Sequence, residues 1–173
     1  MALLNRSLLS KYSPLPANYN FEEILLYQPI AIEIWIRPTI GDAFTDLLEY
    51  EVEKNKVSPE NATLMTEGGL LQYLSYAMCL EGLPFIWSNF SEAGITLGDT
   101  DFSKSITLKD LTYIEAHLRR QVEFLKDKVV KWLNEHSDSF KLYHEFCCRK
   151  PSLKAPNPMF SIYGMRKINT DLK

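Results

Sequence analysis

Histidine, cysteine and glycine are scarce in this chain: three, three and seven among 173 residues. That scarcity narrows the chemistry. His144 beside Cys147 and Cys148 comes nearest to a metal motif. Zinc sites, however, take four ligands, with two to four residues between paired cysteines, and adjacent cysteines on a helix diverge. An odd cysteine count with one adjacent pair is not a disulfide framework and implies a reducing compartment. Cys79, inside an apolar run, reads as a small core residue. Gly68-Gly69 lacks the Lys-Ser/Thr of a phosphate-binding loop. There is no Gly-x-Ser-x-Gly elbow and no helix with paired histidines. The expectation is a protein without catalytic residues, metal or cofactor.

Uninterrupted apolar runs are lacking too. The longest, Leu70 to Trp87, is broken by Gln72, Glu81, Gly82 and Pro84. It reads as a buried helix and not as a membrane span. The start, MALLNRSLLSKY, splits two short apolar pairs with Asn-Arg-Ser, unlike a signal peptide. No membrane partner is expected.

What is present is an uneven charge. Residues 149–173 hold six Lys or Arg and one Asp, a net of +5. Residues 1–148 hold 13 Lys or Arg and 21 Asp or Glu, a net of −8. A basic tail on an acidic body is either a solvated extension or an arm that docks on something acidic. The acids concentrate after Gly41, where Asp42, Asp46, Glu49 and Glu53 line one helix. They form either a solvated surface or an acidic docking face.

The 46% apolar content supports a folded core. The periodicity predicts a mainly α protein: an antiparallel helical bundle with one inserted β-hairpin and extended arms at both ends. The division is an N-terminal arm over 1–19, a bundle over 20–148 with a hairpin at 89–106, and a basic extended arm over 149–173. Pro14 and Pro16 argue against regular structure in the first arm. Asn20 and Glu23 have capping-box spacing. Ile30, Ile32, Ile34 and Ile36 alternate like a strand, but their length and flanks favour a helix, which Arg37-Pro38 and Gly41 end. Ser58-Pro59 opens another helix. The clearest element is the stripe Leu111, Ile114, Leu118, Val122, Leu125, Val129, Trp132, one face of a long helix capped by Thr107. His117 falls on or near that face and reads as a core or boundary residue. Glu81, inside an apolar helix, needs a partner, for which Arg37, Arg119 and Arg120 are candidates.

Several stretches in this order resemble the head–tail connector, or adaptor, proteins of tailed bacteriophages. They are most similar to the neck ring proteins of crAss-like phages. The stretches are Ile36-Arg37-Pro38-Thr39-Ile40-Gly41 before a helix, Leu74 to Trp87, and the hairpin with Ser91-Glu92-Ala93-Gly94-Ile95-Thr96. The long helix follows, ending in Trp132-Leu133-Asn134, and then Phe140 with Tyr143. The likeness covers about residues 22–145. It implies a non-enzymatic subunit of a closed ring, typically a dodecamer, coaxial with the portal protein. The ring extends the DNA channel without sequence-specific contact and gives adjacent neck or tail proteins a docking surface. The implied location is the virion's head–tail junction, after synthesis in the host bacterial cytoplasm.

An isolated two-stranded hairpin is marginal in water, and its free edges invite pairing with another chain. The candidate interface therefore includes Phe90, Gly94, Ile95, Leu97, Asp99, Asp101 and Phe102 of the finger. The tail adds Phe160, Ile162 and Met165 as apolar anchors, with Arg166 and Lys167 as cations for an acidic face. The alternative is a small helical module that binds protein or nucleic acid through its basic tail. Salt-sensitive DNA affinity distinguishes it.

Overall fold

The structure is a computed structural model that describes residues 3–16, 20–91, 94–97 and 108–149. It is mainly α. The order is α1 (Arg6–Tyr12), α2 (Phe21–Leu25), α3 (Gln28–Ala31), a π turn (Ile32–Ile36), α4 (Arg37–Ile40) and α5 (Asp42–Glu53). Then come α6 (Pro59–Thr66), α7 (Leu70–Trp87), strands β1 (Ser88–Ser91) and β2 (Gly94–Leu97), and α8 (Leu108–Glu135). A 3₁₀ turn (Ser137–Ser139) leads into α9 (Lys141–Arg149).

α7 is the axis of the fold. Leu70, Leu71, Tyr73, Leu74, Ala77, Met78, Cys79 and Leu80 are all buried, so apolar residues surround the helix. Such a helix must be covered on every side, and α1, α2, α3, α6 and α8 pack on it. Gly82 lets the turn between α2 and α3 come close: a Cβ there would lie 2.8 Å from the Tyr27 ring. α8 supplies the long stripe expected from sequence. Leu118, Val122, Leu125, Val129 and Leu133 are buried, and Ile114 and Trp132 partly so. The proposed cap Thr107 and the burial of Leu111 lie outside the described residues. α9 folds back onto α5, with Phe140 in ring contact with Phe44 and Trp132.

The isoleucine run resolves in an instructive way. Ile32 and Ile36 are buried, while Ile30 and Ile34 are about half exposed. A strand would put all four on one face. A helical turn puts alternate members on opposite sides, and the observed turn is π. Pro38, having no N–H, leaves one carbonyl of the preceding turn without its usual donor. A different carbonyl, that of Trp35, accepts the hydroxyls of Thr39 (2.6 Å) and Tyr73 (2.9 Å), so side chains bind the backbone of the widened turn. Arg37-Pro38 does not end the helical path, because proline is tolerated in a first turn and here stands in that of α4. Gly41 ends it at φ +93°, where a Cβ would lie 2.7 Å from the Phe146 ring.

The N-terminal segment departs from the extended arm expected over 1–19. Asn5 caps α1 by accepting from the Leu8 amide. Leu3, Leu4 and Leu9 are buried, and the Leu4 amide donates to the buried Gln28 Oε1. Pro14 and Pro16 follow the helix, so they end structure here without preventing it. Asn20 and Glu23 join side chain to side chain at 2.9 Å in place of the reciprocal backbone bonds of a capping box.

β1 and β2 pair antiparallel, with Ser88 opposite Leu97 and Phe90 opposite Ile95. These four residue pairs do not support the longer finger expected over 89–106. Residues 92–93 and 98–107 are outside the described residues, as is the tail from 150 onward.

Candidate interaction surface

The acidic face on α5 is organised by one cation. Arg37 lies 2.8 Å from Glu33, 2.8 Å from Asp46, 3.2 Å from Glu49 and 3.8 Å from Asp42. Gly41 makes this possible, because its turn swings α5 back beside α4. The hydrogen bond to Asp46 is the chief influence raising the Arg37 pKa above its ordinary value. Four carboxylates around one guanidinium leave the cluster with a formal charge of −3. Glu53 is exposed and lies outside the Arg37 contacts. The acids are legible in the sequence, but there Arg37 figures as a helix-ending residue before Pro38 and as a possible partner for Glu81, not as their hub. The signals were its i, i+4 spacing from Glu33 and the glycine turn before Asp42.

Glu81 has a neutral partner: Trp35 Nε1 donates to Glu81 Oε1 at 2.9 Å. That bond needs no arginine, because Glu81 is only partly buried and keeps contact with water. His117 is exposed and does not belong to the core. It sits roughly 100° in front of Leu118 on the helical wheel, beyond the edge of the buried stripe. Glu115 pairs with Arg119 at 3.2 Å, while Lys131 pairs with Glu135 and not with Asp127.

Near α6, Glu51 Oε2 accepts from the Ser58 amide, the Ser58 hydroxyl and Asn61 Nδ2. Asn61 is buried, so this carboxylate latches the α5–α6 turn. A groove of about 330 Å³ lies beside it, lined by Phe44, Leu47 and Leu142. Burial pushes the Tyr73 hydroxyl and the Cys79 thiol each up to about 12, which keeps both protonated and unreactive near neutrality. Among the described residues no group of three or more His, Cys, Asp or Glu side chains could hold a metal ion. No described helix is long and apolar enough to cross a membrane.

The exposed apolar side chains went unnoticed in the sequence. Leu26 is 78% exposed, Tyr113 76% and Phe124 65%. Ile30, Ile34, Tyr50 and Phe85 are exposed as well. The isoleucine alternation was their only sequence signal. Of the expected interface residues, Phe90 lies in β1, and Gly94, Ile95 and Leu97 lie in β2. Asp99, Asp101, Phe102, Phe160, Ile162, Met165, Arg166 and Lys167 are outside the described residues.

No curated protein and no solved structure matches the chain. Residues 36–152, from the end of the π turn through α9, match the family described as "Family of unknown function (DUF6712)", and the chain belongs to that family.

Proposed function

We propose that this protein is a non-enzymatic structural subunit of a phage head–tail connector ring. In this reading it extends the portal channel and offers a docking surface to neck and tail components. One observation carries the reading. A body with a complete core of its own still exposes large apolar side chains on more than one element, among them Leu26, Ile34, Tyr113 and Phe124. Scattered exposed apolar residues are ordinary. Rows of them are what an assembling subunit uses. The family is described without an activity, so the connector identity rests on the resemblance in element order.

Within this reading the ring is a dodecamer of identical copies, and DNA passes through it without sequence-specific contact. The N-terminal segment packs on its own body, which leaves the stitching to the finger over 89–106 and the tail over 149–173. The finger reaches a neighbouring chain by strand addition. The tail sets Arg166 and Lys167 against the Arg37-centred acidic cluster of another copy, with Phe160, Ile162 and Met165 as anchors.

Imaging of the assembled particle with this chain traced in it tests the proposal. The expected result is a closed ring at the head–tail junction whose fingers and tails touch other chains. A neck fully accounted for by other proteins, or a ring whose fingers and tails rest on their own bundles, would overturn it.

A further inference from the structure

Two hollows flank the contact between α5 and α9. One, of about 330 Å³, is lined by Leu47 and Phe140. The other, of about 230 Å³, is lined by Ala43 and Phe146. Phe44 and Leu142 border both, so the two adjoin as one trough beside α5, from Gly41 to Glu51. That stretch is about 15 Å long at the helical rise. A cavity of about 150 Å³ already admits a benzene ring, so each hollow has room for one large apolar side chain.

Both hollows are acidic. Glu51 and Glu60 line the first, Asp42 and Glu145 the second, and Lys141 is the one cation among the described lining residues, which leaves a balance of −3. Glu51 keeps its charge, because its partners Ser58 and Asn61 are neutral donors. The balance stays negative when the surroundings are counted. With Arg37 and its other acids, Glu33, Asp46 and Glu49, it is −5, and Arg149 at the end of α9 brings it to −4.

The chain itself supplies a matching occupant. α9 is one wall of the trough and ends at Arg149, and 24 residues follow with five cations and one acid, a net of +4. Phe160 and Ile162 are two positions apart, so an extended chain turns both to one face, about 7 Å from each other. Lys154 precedes the pair, and Arg166 and Lys167 follow it. Apolar residues between cations complement apolar walls between acids. The eleven residues from Arg149 to Phe160 can span up to about 36 Å. The return along the nine residues of α9 takes only about 14 Å. Pro151, Pro156 and Pro158 oppose continuation of the helix. Tethering also gives the tail an effective concentration in the millimolar range, which a free partner of the same chemistry lacks.

We propose that in the free chain the tail lies along this trough of its own body, with Phe160 and Ile162 in the hollows and its cations against the flanking acids. In a ring the neighbour's tail takes the same seat, an exchange of identical elements that needs no new kind of contact. The seat requires no ring, and only the exchange rests on the subunit reading.

Disulfide trapping in the full-length chain tests the seat. Ala43→Cys, at an exposed position of the second hollow, is combined with Ser161→Cys, which leaves both anchors in place. Cys147→Ser and Cys148→Ser remove competing thiols, and Cys79 is buried. The control combines Ser161→Cys with Tyr113→Cys, at an exposed position of α8. Under mild oxidation the intramolecular bond between positions 43 and 161 is expected about tenfold faster than in the control, at a rate unchanged by dilution. Phe160→Ala with Ile162→Ala should bring the rate down to the control's, and Arg166→Glu with Lys167→Glu should slow it severalfold. A rate no higher than the control's would overturn the proposal. So would bonds that form only between chains, or a fast bond indifferent to the loss of both anchors. Such a failure leaves the ring reading standing, and a neck traced without this chain leaves the seat standing.

Discussion

α7 and α8 are the two longest helices, and they solve opposite problems. Over residues 70–82, α7 is apolar around nearly its whole circumference and is packed by five other helices of the same chain, while Phe85 nearer its end is about half exposed. α8 buries one stripe and turns a row with two large aromatic residues outward. The first spends its apolar surface on folding, and the second keeps part of it in reserve. Apolar area alone therefore does not say whether a residue stabilises the monomer. What decides is whether this chain has a neighbour to set against it.

The largest effect is expected at the centre of α7. Leu74→Ala removes a fully buried side chain and leaves a cavity that the surrounding helices cannot close. The expected loss is about 2–5 kcal/mol in urea unfolding of the isolated chain. A loss below about 1 kcal/mol would mean that α7 is not the tightly packed axis described here.

A second test uses pH. The Tyr73 hydroxyl is buried and donates to the Trp35 carbonyl, and burial raises its pKa from 10.0 to about 12. Between those values the unfolded chain releases the proton while the folded chain keeps it. Stability is then fully present below pH 10 and is lost as pH rises towards 12. The loss comes to about 2–3 kcal/mol, at 1.36 kcal/mol per pH unit. Tyr73→Phe should remove this part of the alkaline slope, at a cost near neutrality of about 1 kcal/mol for the hydrogen bond. An unchanged slope in the variant would show that Tyr73 is not the titrating group. Cys79, raised by burial from 9.0 to about 12, contributes a separate slope that the variant retains.

Much of this architecture was legible in the residues, and the losses have physical causes. The α8 stripe could be read because seven apolar positions repeat at helical spacing. α7 could be read because its length and composition leave few other solutions. The isoleucine alternation could not be settled locally, since the same four residues suit a strand or a helix. Tyr73 and Thr39, brought to the Trp35 carbonyl by tertiary packing, support the π turn. α1 was missed because two prolines after it outweighed the Asn5 cap and the leucines before them. The acidic face was visible as a list of carboxylates. Its arginine hub was not, because the approach of Arg37 to Asp46 and Glu49 depends on the turn at Gly41. The outward aromatics were hidden for a simpler reason: a helical wheel locates the buried stripe but does not show what a neighbour will cover.

The smallest effect is expected on α8, where it is also the most informative. Phe124→Ala removes an aromatic ring about as large as any in the core. Yet Phe124 is 65% exposed, so little of that area is withdrawn from water when the monomer folds. Alanine is the better helix former by a few tenths of a kcal/mol, which offsets part of what little packing is lost. The isolated chain should therefore change by no more than about 0.5 kcal/mol in the same urea experiment. A loss like that at Leu74 would show the ring already engaged by its own chain, and the contrast between the two helices would vanish. A near-zero change in the monomer together with weakened association of copies would place the value of Phe124 between subunits. That pairing of results separates a side chain kept for assembly from one that merely happens to face water.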